Sequence, residues 1–146
     1  MAAVKQFCSF YLDKLLFGVE VGKVQEVIRH QEMTPVPLAP PVLSGLINLR
    51  GQIVTALDLR RRLDFADRAP DKLPMNVVVR TGDEAVSLLV DEIGDVLEVE
   101  DESFEAPPQT LQGEARELIR GVYKLKDRLL LMLDTEKAVT IDADSG

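Results

Sequence analysis

One histidine, His30, and one cysteine, Cys8, are the sharpest candidates for nucleophilic or metal-binding chemistry in this chain, and each is the only residue of its kind. Acyl transfer through a Ser-His-Asp or Cys-His set needs a nucleophile, a base and an orienting group within hydrogen-bond reach. A zinc or iron site needs several His and Cys side chains together. The residue counts leave no His/Cys cluster, and no triad is compelling. Cys8 falls in an apolar run, where a thiol acts as a small buried hydrophobe rather than a nucleophile. No phosphate-cradling glycine pattern of the Walker A or G-x-G-x-x-G type is present. Asp and Glu number 25, and that abundance makes any chosen acid/base pair unspecific. The acidic stretch 98–120, "EVEDESFEAPPQTLQGEARELIR", carries Glu98, Glu100, Asp101, Glu102 and Glu105 without EF-hand spacing, so it reads as a solvated connector. No catalytic residue, metal or cofactor is expected; an enzyme or small-molecule sensor using the acidic stretch is the alternative.

The basic triplet Arg60-Arg61-Arg62 raises a different possibility, a phosphate or nucleic-acid site. The formal net charge of −8 repels polyanions on average. Aromatic residues make up only 5% and tryptophan is absent, so base-stacking platforms are poor. Nucleic acid is therefore not an expected partner. No apolar run reaches the roughly 18 residues that would span a bilayer, and "MAAVKQF" lacks a basic segment leading into an apolar signal core. The expectation is a cytoplasmic protein without direct membrane insertion.

These exclusions shift attention to the elements that shape the surface. "QFCSFYLDKLLFGVE" places two β-rich runs around Asp13-Lys14, which predicts a hairpin. In "VGKVQEVIR", Val24, Val27 and Ile28 stand at i, i+3 and i+4, which predicts one turn of helix with Gln25 and Glu26 off the apolar stripe. Prolines at 35, 37, 40 and 41 mark an extended connector. In "NLRGQIVTALDLRRRL", Arg50-Gly51 separates two apolar runs, and Gly51 can take the positive φ of a tight turn. Asp58 predicts a helix N-cap. Leu59 and Leu63 would share the buried face, leaving the arginines largely toward solvent. Residues 64–74, polar and proline-bearing, predict a seam.

After the seam the plan repeats. "MNVVVRTGDEAVSLLVDE" predicts strand, turn and strand. "EIGDVLEV" then aligns with "VGKVQEV", bringing Val96 onto Val24 and Glu98 onto Glu26. "GLINLRGQIVTALDLRRRL" from Gly45 aligns without a gap over "GVYKLKDRLLLMLDTEKAV" from Gly121, with Asp58 on Asp134 and Arg50-Gly51 on Lys126-Asp127. Two blocks recur in the same order, about 72 and 76 residues apart. The expectation is a single, mainly all-β domain of two small barrel subdomains that arose by duplication, with units at about 6–65 and 75–141.

Four segments in this order, "VGKVQEVIR", "SGLINLRGQIVTALDLRRRL", "VSLLVDEIGDVLEV" and "IRGVYKLKDRLLLMLDTEKAV", resemble the CheW family of bacterial chemotaxis coupling proteins. The resemblance runs from about Gln6 to Val139 and is most specific at "NLRG" followed by an apolar strand and "LDL". It implies two packed five-stranded SH3-like barrels. It also implies a non-enzymatic scaffold joining the cytoplasmic tips of methyl-accepting chemoreceptors to the regulatory domain of the histidine kinase CheA, within membrane-associated receptor arrays. A CheW-like adaptor for another output, such as surface motility or development, is the alternative. Carried over by position, the protein-binding residues are Val24 and Glu26 of the "VQE" segment, Asn48, Arg50 and Gly51 of "NLRG", and Val96 in an apolar groove between the barrels. Val24 reads equally as core, and Gly51 as a turn requirement. The strand "QIVTALDL" departs from the family, which usually has proline and valine near Thr55-Ala56. No receiver domain and no kinase core accompany the pattern.

Overall fold

The computed structural model describes residues 4–69, 71–100, 104–109 and 113–140. Tight turns organise the strands. β1 (Val4–Leu12) folds onto β2 (Leu15–Glu20) through Asp13-Lys14, with Asp13 at φ 54°. β4 (Leu43–Leu49) and β5 (Gln52–Asp58) meet at Arg50-Gly51, and β6 (Met75–Thr81) and β7 (Glu84–Val90) at Gly82-Asp83. β3 (Val24–Ile28) and β8 (Glu92–Glu100) follow the first hairpin of each half. β9 (Phe104–Glu105) precedes a last hairpin of β10 (Ile119–Lys124) and β11 (Leu129–Leu133). Helices are short: α1 (Leu59–Arg62), α2 (Gly113–Leu118) and α3 (Thr135–Val139). Asp58 and Asp134 cap α1 and α3, accepting from the amides of Arg60 and Lys137. The stretch 98–120 is therefore more than a connector: it holds the end of β8, β9 and α2. Asp101 and Glu102 lie outside the described residues.

The strands form two sheets with one plan. The first has the order β8-β1-β2-β11-β10-β9 and the second β3-β6-β7-β5-β4. Each takes its opening hairpin from one half of the chain and its remaining strands from the other. Each inserted hairpin makes two joins, one parallel, β2 with β11 and β7 with β5, and one antiparallel, β1 with β8 and β6 with β3. The boundary between sheets therefore does not follow the boundary between sequence halves.

Central strands are buried on both faces. On β11, Leu130 and Met132 enter a cluster with Phe7, Leu16 and Tyr123, whereas Leu131 and Leu133 enter the large core shared by both sheets. On β6, Val78 packs with Ile47, Leu49, Val54 and Leu89, while Val77 and Val79 face the shared core. Period-two alternation thus serves three clusters rather than a core and solvent.

Gly45 and Gly121, aligned by the repeat, do the same job. A Cβ on Gly45 would lie 2.8 Å from the Thr34 carbonyl oxygen, where the connector bridges to Leu46. One on Gly121 would strike the Phe104 ring and lie 2.6 Å from the Glu105 oxygen, where β9 crosses. Gly121→Ala is expected to cost about 1–3 kcal/mol, as overpacked sites do, read as a lower urea midpoint.

Two further expectations are corrected. Residues 24–28 are strand, not a helical turn; a one-turn 3-10 segment, Val21–Lys23, precedes them. Val24, Val27 and Ile28 are β-branched and pair with Val79, Val77 and Asn76 of β6, and a bulge between Val24 and Glu26 disturbs the strand period. The triplet is also not a solvated face. Arg60 is 8% exposed. Its Nε donates to Asp91 Oδ1 at 2.8 Å and its Nη1 to the Ala66 oxygen at 2.9 Å, and Asp13 receives its Nη2. Arg68, from the seam, donates to the same Asp91 at 3.0 Å. Arg62 donates to the Ala138 and Lys137 carbonyls at the end of α3. Only Arg61 stays half open, paired with Asp67.

Candidate protein-binding surface

β3 and β4 are the two outer strands of the second sheet. One side-chain contact joins these margins: Glu26 of β3 receives the guanidinium of Arg50 from the tip beside β4. The tip is a primed turn. Arg50 is at φ 50° and Gly51 at φ 90°, a pair that matches the strand twist and that a non-glycine residue adopts at some cost. Asn48 fixes the turn from inside, its Oδ1 accepting from the Gly51 amide at 2.8 Å. Gly51 thus serves the turn, and Asn48 holds it.

The pair is asymmetric: the Arg50 side chain is 74% exposed and that of Glu26 only 19%. An ion pair this open stabilises the fold by less than about 1 kcal/mol. Stability therefore gives little reason for an arginine in a left-handed conformation, and an exposed fork of N–H donors suits a partner's carboxylate or carbonyl. Beside it Ile53, paired with Asn48 across the hairpin, is 61% exposed. Ile53 is not among the residues marked by the sequence, although an apolar residue just after a solvent-exposed turn is a signal for it.

The other two sequence-selected residues stand apart. Val24 is half-buried against the shared core, opposite Val79. Val96 lies on β8, at the margin of the other sheet, paired with Cys8 and 58% exposed. Burial pushes the Cys8 thiol above its usual range, away from the reactive thiolate. The structure therefore joins Glu26, Asn48, Arg50 and Gly51 into one surface and leaves Val96 on a separate strand. Among the described residues, no three His, Cys, Asp or Glu side chains converge as a metal site, and no helix is long and apolar enough to cross a membrane.

A family profile described as a CheW-like domain matches residues 6–142. Among curated proteins, the chain is similar to "Chemotaxis protein CheW" of Bacillus subtilis, 30% identical over 130 residues, covering 89% of this chain and 82% of that protein. It is also similar to the protein of that name from Treponema pallidum, 29% identical over 136 residues, with 90% and 80% covered. Among solved structures, the scaffolding protein TtCheW from Thermoanaerobacter tengcongensis superposes with a TM-score of 0.85 at 25% identity, covering 97% of this chain and 95% of that one.

Proposed function

The chain belongs to the CheW-like family of chemotaxis scaffold proteins, and from that premise we propose that it couples transmembrane chemoreceptors to the histidine kinase CheA without catalysing a reaction itself. The observation that carries the reading is the Arg50 tip, an exposed cation held in a strained turn by Asn48 and set against Glu26. Its neighbour Ile53 adds apolar area to a charged contact, the mixture that protein interfaces use at their centre and rim. Val96, on β8 of the other sheet and 58% exposed, offers an apolar side chain for a second partner. An adaptor needs two surfaces, and a helical receptor tip would use the apolar one.

The test is reconstitution. The purified protein is expected to bind a CheA regulatory domain and a receptor cytoplasmic fragment, each in the range of tens of micromolar typical of small signalling interfaces. Kinase stimulation is expected only when all three components are mixed. Failure to bind either partner in that range sinks the proposal.

A further inference from the structure

β3 is a poorly protected strand. Among the described residues it pairs only with β6, and it carries a bulge at its start and no fully buried side chain. A five-residue margin of this kind opens easily. Yet it must hold Glu26 against a hairpin from the far side of the sheet.

One side chain of the interior reaches the end of this strand, and a second backs it. Asn76 of β6 is 1% exposed and stands opposite Ile28, the last residue of β3. Its Nδ2 donates to the Arg29 carbonyl oxygen at 3.0 Å, one residue past the strand's end. Its Oδ1 accepts from Ser87 Oγ of β7 at 2.7 Å, and Ser87 is wholly buried. The relay runs diagonally from β7 through β6 to the residue after β3, since Asn76 stands opposite Leu89 and Ser87 opposite Val78. Position 76 begins a run of Val77, Val78 and Val79, where another valine would suit the burial. A buried amide is tolerated there because its bonds are made, and a well-made pair contributes little net stability over an apolar replacement. Its use is specificity of position.

We infer that Asn76 and Ser87 are positioning residues for partner binding: their buried relay fixes β3, and with it Glu26, against the Arg50 tip. This rests on the coupling role proposed above for that surface. The relay touches no partner; it acts through the strand.

The double variant N76V/S87V removes both side-chain polar groups of the relay together and leaves only the Arg29 carbonyl oxygen, on an exposed residue, without its donor. It is expected to melt within a few degrees of the parent, while the amides of residues 25–29 exchange with deuterium faster and those of β6 and β7 keep their protection. Affinity for the CheA regulatory domain is expected to fall about tenfold, the scale at which distal residues modulate a site. Unchanged exchange over 25–29 in a folded variant overturns the inference, as does faster exchange with unaltered affinity. Should the double variant not fold, S87A gives the same two readouts. If the parent itself binds no partner, the coupling proposal falls, and the exchange measurement still decides whether the relay holds β3.

Discussion

Asp91→Asn is expected to destabilise the protein by about 3 kcal/mol, the lower end for breaking a buried ion pair by removing one partner. The Asp91 side chain is 17% exposed and lies between Arg60 at 9% and Arg68 at 10%. It also accepts from the Asp13 backbone amide at 2.8 Å. The amide of asparagine keeps the shape but leaves two guanidinium groups desolvated without their shared counter-charge, and turns one acceptor into a donor facing donors. Urea midpoints of parent and variant measure the loss; a shift below about 1 kcal/mol, the value of an exposed pair, would mean the cluster is solvated in solution.

The pH dependence follows. Burial works against the charged form of Asp91, but hydrogen bonds from Arg60, the Asp13 amide and Arg68 outweigh it and hold the carboxyl at about 2. In the unfolded chain an aspartate titrates near 3.9. The folded pKa is the lower, so the contribution is fully present above about pH 4 and fades as pH falls toward 2. The gap between parent and variant should therefore be widest near neutrality and narrow across that window.

Arg50→Glu is expected to abolish measurable binding to the kinase domain while moving the melting temperature only slightly. The change faces Glu26 with a like charge across an open pair, worth less than about 1 kcal/mol to the fold. At an interface the same change removes a bidentate donor and introduces a repulsion, a loss of at least about 2 kcal/mol for a charged contact. A charge swap separates the two roles. E26R/R50E restores the internal pair, yet binding should stay lost, because a partner acceptor would still meet a carboxylate. Recovery of binding in the swap would reassign Arg50 from contact to turn geometry.

Much of the local structure was legible. Asp13-Lys14 and Arg50-Gly51 announce hairpins because few residues fit tight turns, and Asp58 and Asp134 announce helix starts because a carboxylate satisfies free amides. The exposed tip at Arg50 follows from the same turn. What failed was tertiary. The spacing of Val24, Val27 and Ile28 fits a helical turn as well as a bulged strand, and β6 decides between them. Arg60 looks like a solvent residue until Asp13 and Asp91, 47 and 31 positions away, are folded over it. The resemblance marks Glu26 and Arg50 separately; that they touch depends on how the second sheet folds. The exchange of hairpins between sheets has no local signature, since an apolar strand carries no label for the sheet it will join.

That exchange also governs how the chain is made. Val4 pairs with Glu100 and Leu16 with Leu130, so the hairpin of β1 and β2 waits for β8 and β11 to be made before its sheet can close. Such distant pairings slow folding, and the amino-terminal half must keep its apolar strands from aggregating until the rest is synthesised. Neither half holds a complete sheet: cutting the chain at the seam would break both sheets at once.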